Sequence, residues 1–251
     1  MIALVLNMDK DKERLCHMAQ QLSLTCPEFT RIPAINGRNM LQTELQSYGK
    51  NVRGNDWSNG ALGCFLSHRS AWHTLVTSGE EYALILEDDV YLSADLSKLL
   101  QDISWIPKDA DIVRLETSTN RVKLEPVGEI FDRHICKVRS TCWCCGAYLI
   151  HRDTAQTLLE TPREKWDSVD YFLLSRETSE IARTLNVYQV TPALAVQAKF
   201  NSGYVEPHFL SNIEPHGIQK NQRSLLTKLA PKELLGRTKK VLGNYKRIDF
   251  R

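Results

Sequence analysis

The 251-residue chain has no apolar run that approaches the roughly 18 residues of a membrane-spanning helix. Residues 1–7 lack the basic start, long apolar core and cleavage site of a signal peptide, so export by that route is not expected. There is no internal repeat and no low-complexity segment, which argues against a solenoid. The composition, 42% hydrophobic and 25% charged, is typical of a globular protein with one large domain or two small ones.

The seven cysteines lack the spacing of a zinc site or of a disulfide framework. Their number is odd, and Cys142, Cys144 and Cys145 form a run without paired C-x-x-C spacing. We therefore interpret the cysteines as reduced, mostly buried thiols of a cytosolic protein, and their spacing does not favour a metal role.

The small net charge of +2 is unevenly distributed along the chain. Residues 217–251 contain ten Lys or Arg against Glu233 and Asp249, a balance of +8 that leaves −6 on residues 1–216. We divide the chain accordingly into an acidic body, 1–216, and a basic amphipathic C-terminal tail, 217–251, predicted as two short helical pieces. Such a tail suits an anionic membrane surface. Nucleic acid is a rival partner without a supporting motif, and a solvated tail is the other alternative.

The most informative segment is 82–90, where an apolar run ends in Glu87, Asp88 and Asp89. Three carboxylates at the end of a buried strand repel one another, so a fold retains them where positive charge balances them. Mg²⁺ or Mn²⁺ can supply that charge and bridge to substrate phosphates, because hard cations prefer carboxylate oxygens. A solvated turn without a ligand is the alternative interpretation.

Strands and helices alternate through the first half of the chain, which predicts an α/β sheet of mostly parallel strands. The apolar patterns predict strands at 2–6, 29–35, 82–86, 111–115, 143–150, 187–190 and 194–196, and helices at 9–24 (with Asp9 as N-cap), 59–77, 96–103, 153–159 and 167–174. Residues 38–58 are interpreted as a loop region with one short helix, and 117–140 as a loop. Ligands of such sheets lie beyond the carboxyl ends of the strands, where Asn7, the turn signal Asn36-Gly37 and Glu87–Asp89 all fall.

Four segments carry a family resemblance. The first is 4–7 with Arg14, and the second is 32–37. The third is 60–68 with Trp72 and 85–89, and the fourth is 146–150 with Asp170, Pro192 and Gln197. In this order they resemble glycosyltransferase family 25, the bacterial lipooligosaccharide galactosyltransferases and their collagen-modifying relatives. The third segment is the most specific, and the resemblance covers residues 1 to about 203. The chain departs from the family pattern at Asn36, where Asp is usual, and at 201–203, where Ser-Ser-Ile is common.

The resemblance implies a GT-A type α/β fold, a Rossmann-like nucleotide-sugar-binding sheet flanked by helices, here with a basic helical C-terminal tail. It implies inverting, metal-dependent transfer of a sugar, most often galactose, from a UDP-sugar to a lipooligosaccharide or lipopolysaccharide acceptor. Mn²⁺ or Mg²⁺ would stabilise the departing diphosphate. Asp89 is the expected metal ligand, and Glu87 and His208 are further candidates. The donor pocket is expected to contain Asn7, Arg14, Asn36, Gly37, Ser67, Glu87, Asp88, Gln197 and Ser202.

Inversion needs a base that takes the proton of the acceptor hydroxyl. Asp170 is the preferred candidate and Asp167 the second, although they can equally serve as a helix cap and a dipole partner. His68 is a third catalytic candidate, with a buried structural histidine as its alternative.

A lipid-linked oligosaccharide acceptor would place the protein in the cytoplasm, on the inner face of the cytoplasmic membrane. The competing functions are a nucleotidyltransferase, disfavoured by the lack of glycine in 7–12, and a catalytically silent membrane-associated binding protein.

Overall fold

The central strands carry apolar side chains on both sides, which requires a sheet covered on both faces. The computed structural model describes residues 1–25, 28–118, 120–201 and 245–251. In it, the side chains of strand β3 (Tyr82–Glu87) alternate between two hydrophobic cores, which contain residues of helices α3 (Asn59–Ser78) and α1 (Lys12–Ser23). Ala83 and Ile85 pack with residues of helix α3, whereas Leu84 and Leu86 pack in a second cluster that contains residues of helix α1. The predicted α/β class is therefore confirmed, with a large sheet between two helical layers.

The strands are β1 (Ile2–Asn7), β2 (Thr30–Pro33), β3 (Tyr82–Glu87), β4 (Val90–Leu92), β5 (Ile112–Arg114), β6 (Glu116–Thr117), β7 (Val122–Ile130), β8 (Arg133–Val138), β9 (Ala147–His151), β10 (Val187–Thr191), β11 (Ala195–Gln197) and β12 (Tyr245–Lys246). The α-helices are α1 (Lys12–Ser23), α2 (Gln42–Ser47), α3 (Asn59–Ser78), α4 (Leu96–Gln101), α5 (Arg152–Glu160), α6 (Val169–Leu174) and α7 (Glu180–Thr184). Short 3₁₀ helices occupy Gly37–Asn39, Arg163–Lys165 and Ala198–Phe200.

The main sheet has nine strands in the order β12-β7-β8-β10-β5-β9-β3-β1-β2, and β4, β11 and β6 form a smaller sheet. Within the main sheet, β1 is parallel to β2 and β3, and β10 is parallel to β5, while the other five pairings are antiparallel. The prediction of a mostly parallel sheet is thus wrong, since parallel pairing is confined to the β2-β1-β3 unit and to the pair of β10 and β5. The carboxyl ends of β2, β1 and β3 share one edge, as the site prediction requires.

One antiparallel pairing arises from a hairpin in the segment predicted as a loop. Only Phe131 and Asp132 separate β7 from β8, and so short a connection permits only antiparallel pairing. Strand β7 contains Pro126 and Gly128 at a register shift, two residues that disfavour regular strands. The predicted strand 143–150 begins only at Ala147, since 141–146 form no strand, although Cys142 and Cys145 are buried as expected.

Local capping sets both ends of helix α3, whereas the predicted start of helix α1 is wrong. Helix α3 begins after Ser58, whose Oγ accepts a hydrogen bond from the Ala61 amide at 3.2 Å, and ends at Gly79 in the left-handed conformation. Helix α1 begins at Lys12 after Asp11, so Asp9 is not its N-cap. Asp9 forms an ion pair with Arg31 instead.

The last residues of the chain belong to the sheet layer. Strand β12 pairs with β7, Ile248 is buried, and the Ala193 amide donates to the Asp249 carbonyl at 2.7 Å. The amphipathic pieces predicted in the basic tail lie between 217 and 244, outside the described residues, and remain a prediction. Across the part of the chain that the structure describes, none of the helices combines the length and apolarity that crossing a membrane requires.

Candidate active site

An open cleft lies at the shared carboxyl edge of β1, β2 and β3. Its empty space is about 850 Å³, part of it continuous with solvent. The predicted donor-site residues that line it are Asn7, Arg14, Asn36, Gly37, Ser67, Glu87 and Asp88, together with the predicted metal ligand Asp89. The structure therefore brings together residues from 7 to 89, because parallel strands end at one edge.

One wall of the cleft is a close backbone contact between helix α3 and the turn after β2. A Cβ on Gly37 would lie 1.6 Å from the Asn59 carbonyl oxygen, and one on Gly63 would lie 2.6 Å from the Ile35 carbonyl oxygen. The Ser67 hydroxyl joins the two elements, since it donates to Gly63 O at 2.6 Å and accepts from Ile35 N at 2.8 Å. Gly37 was predicted as a turn residue, but its role in the structure is to permit this approach.

Each carboxylate oxygen of Asp88 accepts a hydrogen bond. Asn7 Nδ2 donates to Oδ2 at 2.7 Å, and Arg14 Nη1 donates to Oδ1 at 3.0 Å. Burial raises the pKa of Asp88 more than Arg14 and Asn7 lower it. The three buried side chains tie the first strand and helix α1 to the end of β3, so Asp88 anchors the turn that presents Asp89.

Glu87 is held from two sides. His68 Nε2 lies 3.3 Å from Oε1, and Gln197 Nε2 donates to Oε2 at 3.1 Å. His68 Nδ1 lies 2.9 Å from the Tyr148 hydroxyl, which also accepts from Trp72 Nε1 at 3.0 Å. Burial pushes the pKa of Glu87 upward, but the hydrogen bond from His68 and the positive charge of Lys199 outweigh it, so the pKa is lowered. Glu87 is therefore an ionised group in a fixed orientation.

Asp89 has the least compensated environment of the three acids. The residue is buried, and within the described ranges its Oδ1 has no hydrogen-bond partner. Burial, reinforced by the charges of Glu87 and Asp88, raises its pKa to about 7. An unpartnered buried carboxylate oxygen is costly, and a hard divalent cation is the ligand whose chemistry it matches. The acids present therefore fit the metal ion that the sequence predicts.

Glu116 is a fourth acid of this cluster that sequence reasoning missed. Its Oε1 accepts from the Gly146 amide at 2.6 Å, while Oε2 is buried without a partner within the described ranges. Burial raises its pKa to about 8, even though Arg114 opposes the shift. The available signal was Arg114 inside the predicted strand 111–115 and Glu116 directly after it. Lys199, a cation lining the cleft, had no such signal.

The two predicted bases lie in different environments, and neither lines the cleft. Asp167 is buried and accepts two hydrogen bonds from Arg53, at 2.5 and 2.9 Å. Asp170, in the first turn of α6, accepts from Ser168 Oγ at 3.0 Å and from the Tyr171 amide at 2.9 Å. Burial raises the pKa of Asp170, which suits a group that must take up a proton.

The remaining predicted residues divide between buried and undescribed positions. His68 is fully buried and reaches Glu87, and Gln197 is buried beside Gly146, whose Cβ would lie 2.5 Å from Gln197 Nε2. Ser202 and His208 lie outside the described residues.

An acid-lined cleft at the carboxyl ends of parallel strands is typical of α/β proteins that bind nucleotides. The family model described as glycosyltransferase family 25 (LPS biosynthesis protein) matches residues 1–173. The chain belongs to this family, as its sequence motifs predicted.

Curated relatives include procollagen galactosyltransferase 1 of Danio rerio, 28% identical over 186 residues, which are 69% of this chain and 30% of that protein. A putative glycosyltransferase of Haemophilus influenzae is 27% identical over 140 residues, 56% of this chain and 49% of that protein. The chain thus spans about a third to a half of the length of these relatives. Among solved structures, a glycosyltransferase involved in glycosylation of the PBCV-1 major capsid has a TM-score of 0.41 at 12% identity, covering 83% of this chain and 98% of that one.

Proposed function

We propose that the protein is an inverting, metal-dependent glycosyltransferase that moves galactose from UDP-galactose to a lipooligosaccharide or lipopolysaccharide acceptor. Membership of family 25 and relatives named galactosyltransferases support this class of reaction. The structural observation that carries the proposal is the buried, unpartnered Oδ1 of Asp89, a residue that lines the open cleft next to Glu87 and Asp88.

Asp89 would hold Mn²⁺ or Mg²⁺. Glu87 is the second acid available, because each oxygen of Asp88 already accepts a hydrogen bond from another side chain. When bound, the ion neutralises negative charge that develops on the diphosphate as the sugar departs. The cations Arg14 and Lys199 line the same cleft and would attract the anionic donor.

We assign the base role to Asp170 rather than to Asp167. The guanidinium of Arg53 forms a two-point ion pair with Asp167, which stabilises its charged form and its position. Asp170 carries the raised pKa. In this scheme Asp170 takes the proton of the acceptor hydroxyl as its oxygen attacks the sugar.

The acceptor is proposed to be lipid-linked, and residues 217–251, with a charge balance of +8, would bind the anionic membrane surface. This places the enzyme in the cytoplasm at the inner face of the cytoplasmic membrane.

Thermal unfolding with UDP, with and without Mn²⁺, tests the donor site. At a ligand concentration of about 100 times Kd, binding adds about 2.7 kcal/mol to the stability, which raises Tm by roughly 5–10 °C. We expect this shift only when Mn²⁺ is present. Asp89→Asn should abolish it, whereas Glu164→Gln, a matched change at an exposed position, should retain it. An undiminished shift in Asp89→Asn would refute the metal assignment, and UDP binding without turnover of any UDP-sugar would favour a silent binding protein.

Transfer from UDP-galactose to lipooligosaccharide tests the base. Asp170→Asn should reduce kcat by about 10²–10⁴-fold while the Mn²⁺-dependent UDP shift persists. Asp167→Asn is the comparison variant, which should lower Tm because it breaks the pair with Arg53. If Asp167→Asn lost turnover at an unchanged Tm and Asp170→Asn remained active, the two roles would have to be exchanged.

A further inference from the structure

Cys64 and His68 are one helical turn apart on α3 and both face Glu87 at the end of β3. Ligand atoms of the three residues, one thiol, one imidazole nitrogen and one carboxylate oxygen, lie within 4.8 Å of one another. Cys64 and Glu87 line the cleft, so the group can be reached from solvent. We infer that these three side chains form a binding site for Zn²⁺, which shares Glu87 with the hard-cation position at Asp89. The inference and its test do not depend on the proposed transferase activity.

The separations between ligand atoms support tetrahedral coordination. Zinc bonds of about 2.3 Å to sulfur and about 2.0–2.2 Å to nitrogen and oxygen imply, for tetrahedral angles, N···O near 3.4 Å and S···O near 3.6 Å. In the structure, His68 Nε2 lies 3.3 Å and Cys64 Sγ lies 3.7 Å from the same oxygen, Glu87 Oε1. Both contacts are hydrogen bonds to Glu87 Oε1, and their lengths match two edges of the tetrahedron, so a bound ion would replace the two protons.

The surroundings orient the ligands as they do in zinc proteins. A ligating histidine normally uses its second nitrogen in a hydrogen bond, and here His68 Nδ1 lies 2.9 Å from the Tyr148 hydroxyl. That hydroxyl can accept from Nδ1–H, which leaves Nε2 for the metal. Gln197 Nε2 holds the other carboxylate oxygen of Glu87 at 3.1 Å.

The chemistry of the donors separates this site from the one at Asp89. A thiolate and an imidazole favour zinc, whereas carboxylates favour Mg²⁺ or Mn²⁺. Three protein ligands leave a fourth position open, as in zinc sites that exchange ligands. The cation would also offset the acid excess formed by Glu87, Asp89 and Glu116.

Cobalt substitution tests the site without nucleotide or turnover. Addition of Co²⁺ to the reduced, metal-free full-length protein should produce the near-ultraviolet charge-transfer band of a cobalt–thiolate bond, and Zn²⁺ should displace it. Cys64→Ser should abolish the band and raise the Kd for Zn²⁺, measured by competition with a chelating dye, by at least about 10–100-fold. Cys16→Ser, a change at an exposed cysteine of α1, should leave band and Kd unchanged.

A wild-type protein without the band, or a band that survives in Cys64→Ser, would overturn the inference. Circular dichroism and thermal unfolding establish that each variant is folded, and Cys64→Ala repeats the test if the serine variant is not. The UDP shift with Mn²⁺ is measured separately, so failure of the zinc site and failure of the transferase proposal are distinguishable.

Discussion

Arg133 and Asp89 are both buried charged residues, but their surroundings differ in kind. Arg133 donates to the carbonyls of Pro192 and Arg251, at 2.8 and 2.7 Å, and to Asp95 Oδ2 at 2.8 Å. Asp89, at the opposite extreme, has an oxygen without a partner in the described ranges and two acids as neighbours in sequence. Arg133 therefore contacts an opposite charge, and within the described ranges only its Nε lacks a partner, whereas the charges that adjoin Asp89 in sequence have its own sign.

This difference separates structural from functional polarity. Arg133 joins β8 to the segment before β11, the start of α4 and the C-terminal residue, so its hydrogen bonds close the fold. The acids of the cleft gather at strand ends where their mutual repulsion lowers stability. Groups with strongly shifted pKa values in a cleft are typical of functional sites, because such sites select for chemistry rather than stability.

The largest effect is expected from Arg133→Met. The change leaves the Pro192 and Arg251 carbonyls without their donor. Each acceptor left unsatisfied costs about 1–3 kcal/mol, so the expected total is roughly 3–5 kcal/mol. Urea unfolding should show this loss of unfolding free energy. The UDP shift with Mn²⁺ should persist below the transition, because the cleft shares none of these contacts.

Arg133→Lys is the control, since it keeps one charged donor and should recover part of the loss. If Arg133→Met unfolded at the same urea concentration as wild type, the inference that Arg133 stabilises the fold would be wrong.

The next effect is the pH dependence of stability carried by Glu116. Its pKa in the folded state, about 8, lies above the ordinary glutamate value of 4.5, so the folded state binds its proton more tightly than the unfolded state. The stabilisation is therefore complete below pH 4.5 and is lost as pH rises to about 8. We expect wild type to lose roughly 2–5 kcal/mol more than Glu116→Gln between pH 5 and pH 8.

Urea unfolding in metal-free buffer across this range measures the difference. Gln is the suitable replacement because it cannot ionise and keeps the acceptor for the Gly146 amide. Parallel curves of unfolding free energy against pH for the two proteins would mean that Glu116 is ionised at neutral pH. The acid cluster would then differ less from the surroundings of Arg133 than we infer.

The sequence predicted those parts of the fold where local signals agree. Strand β3 has an unbroken apolar run, and α3 has a serine cap, a helical apolar pattern and Gly79 at its end. The site followed from them, because parallel strands place Asn7 and Glu87 at one edge.

What the sequence did not reveal depends on contacts distant in the chain. Strand β7 has a mostly exposed face and is interrupted by Pro126 and Gly128, so its pattern is not that of a core strand. The roles of Glu116 and of the Glu87–His68 contact arise only from tertiary packing. The partner of Asp167 is Arg53, which lies in a segment without periodic pattern.

The smallest effects are expected from two matched glycine substitutions, one in the wall of the cleft and one in strand β7. A Cβ at Gly63 meets backbone, the Ile35 carbonyl oxygen at 2.6 Å, whereas one at Gly128 in β7 meets only the Ile135 methyl Cγ2 at 3.1 Å. Backbone cannot move aside as a side chain can, so Gly63→Ala should cost about 1–3 kcal/mol and Gly128→Ala less than about 1 kcal/mol. Urea unfolding gives both values. Gly63→Ala should also weaken Mn²⁺-dependent UDP binding, since it displaces the wall of the cleft, while Gly128→Ala should not. Equal effects on UDP binding would show that the contact between α3 and the turn after β2 does not shape the donor site.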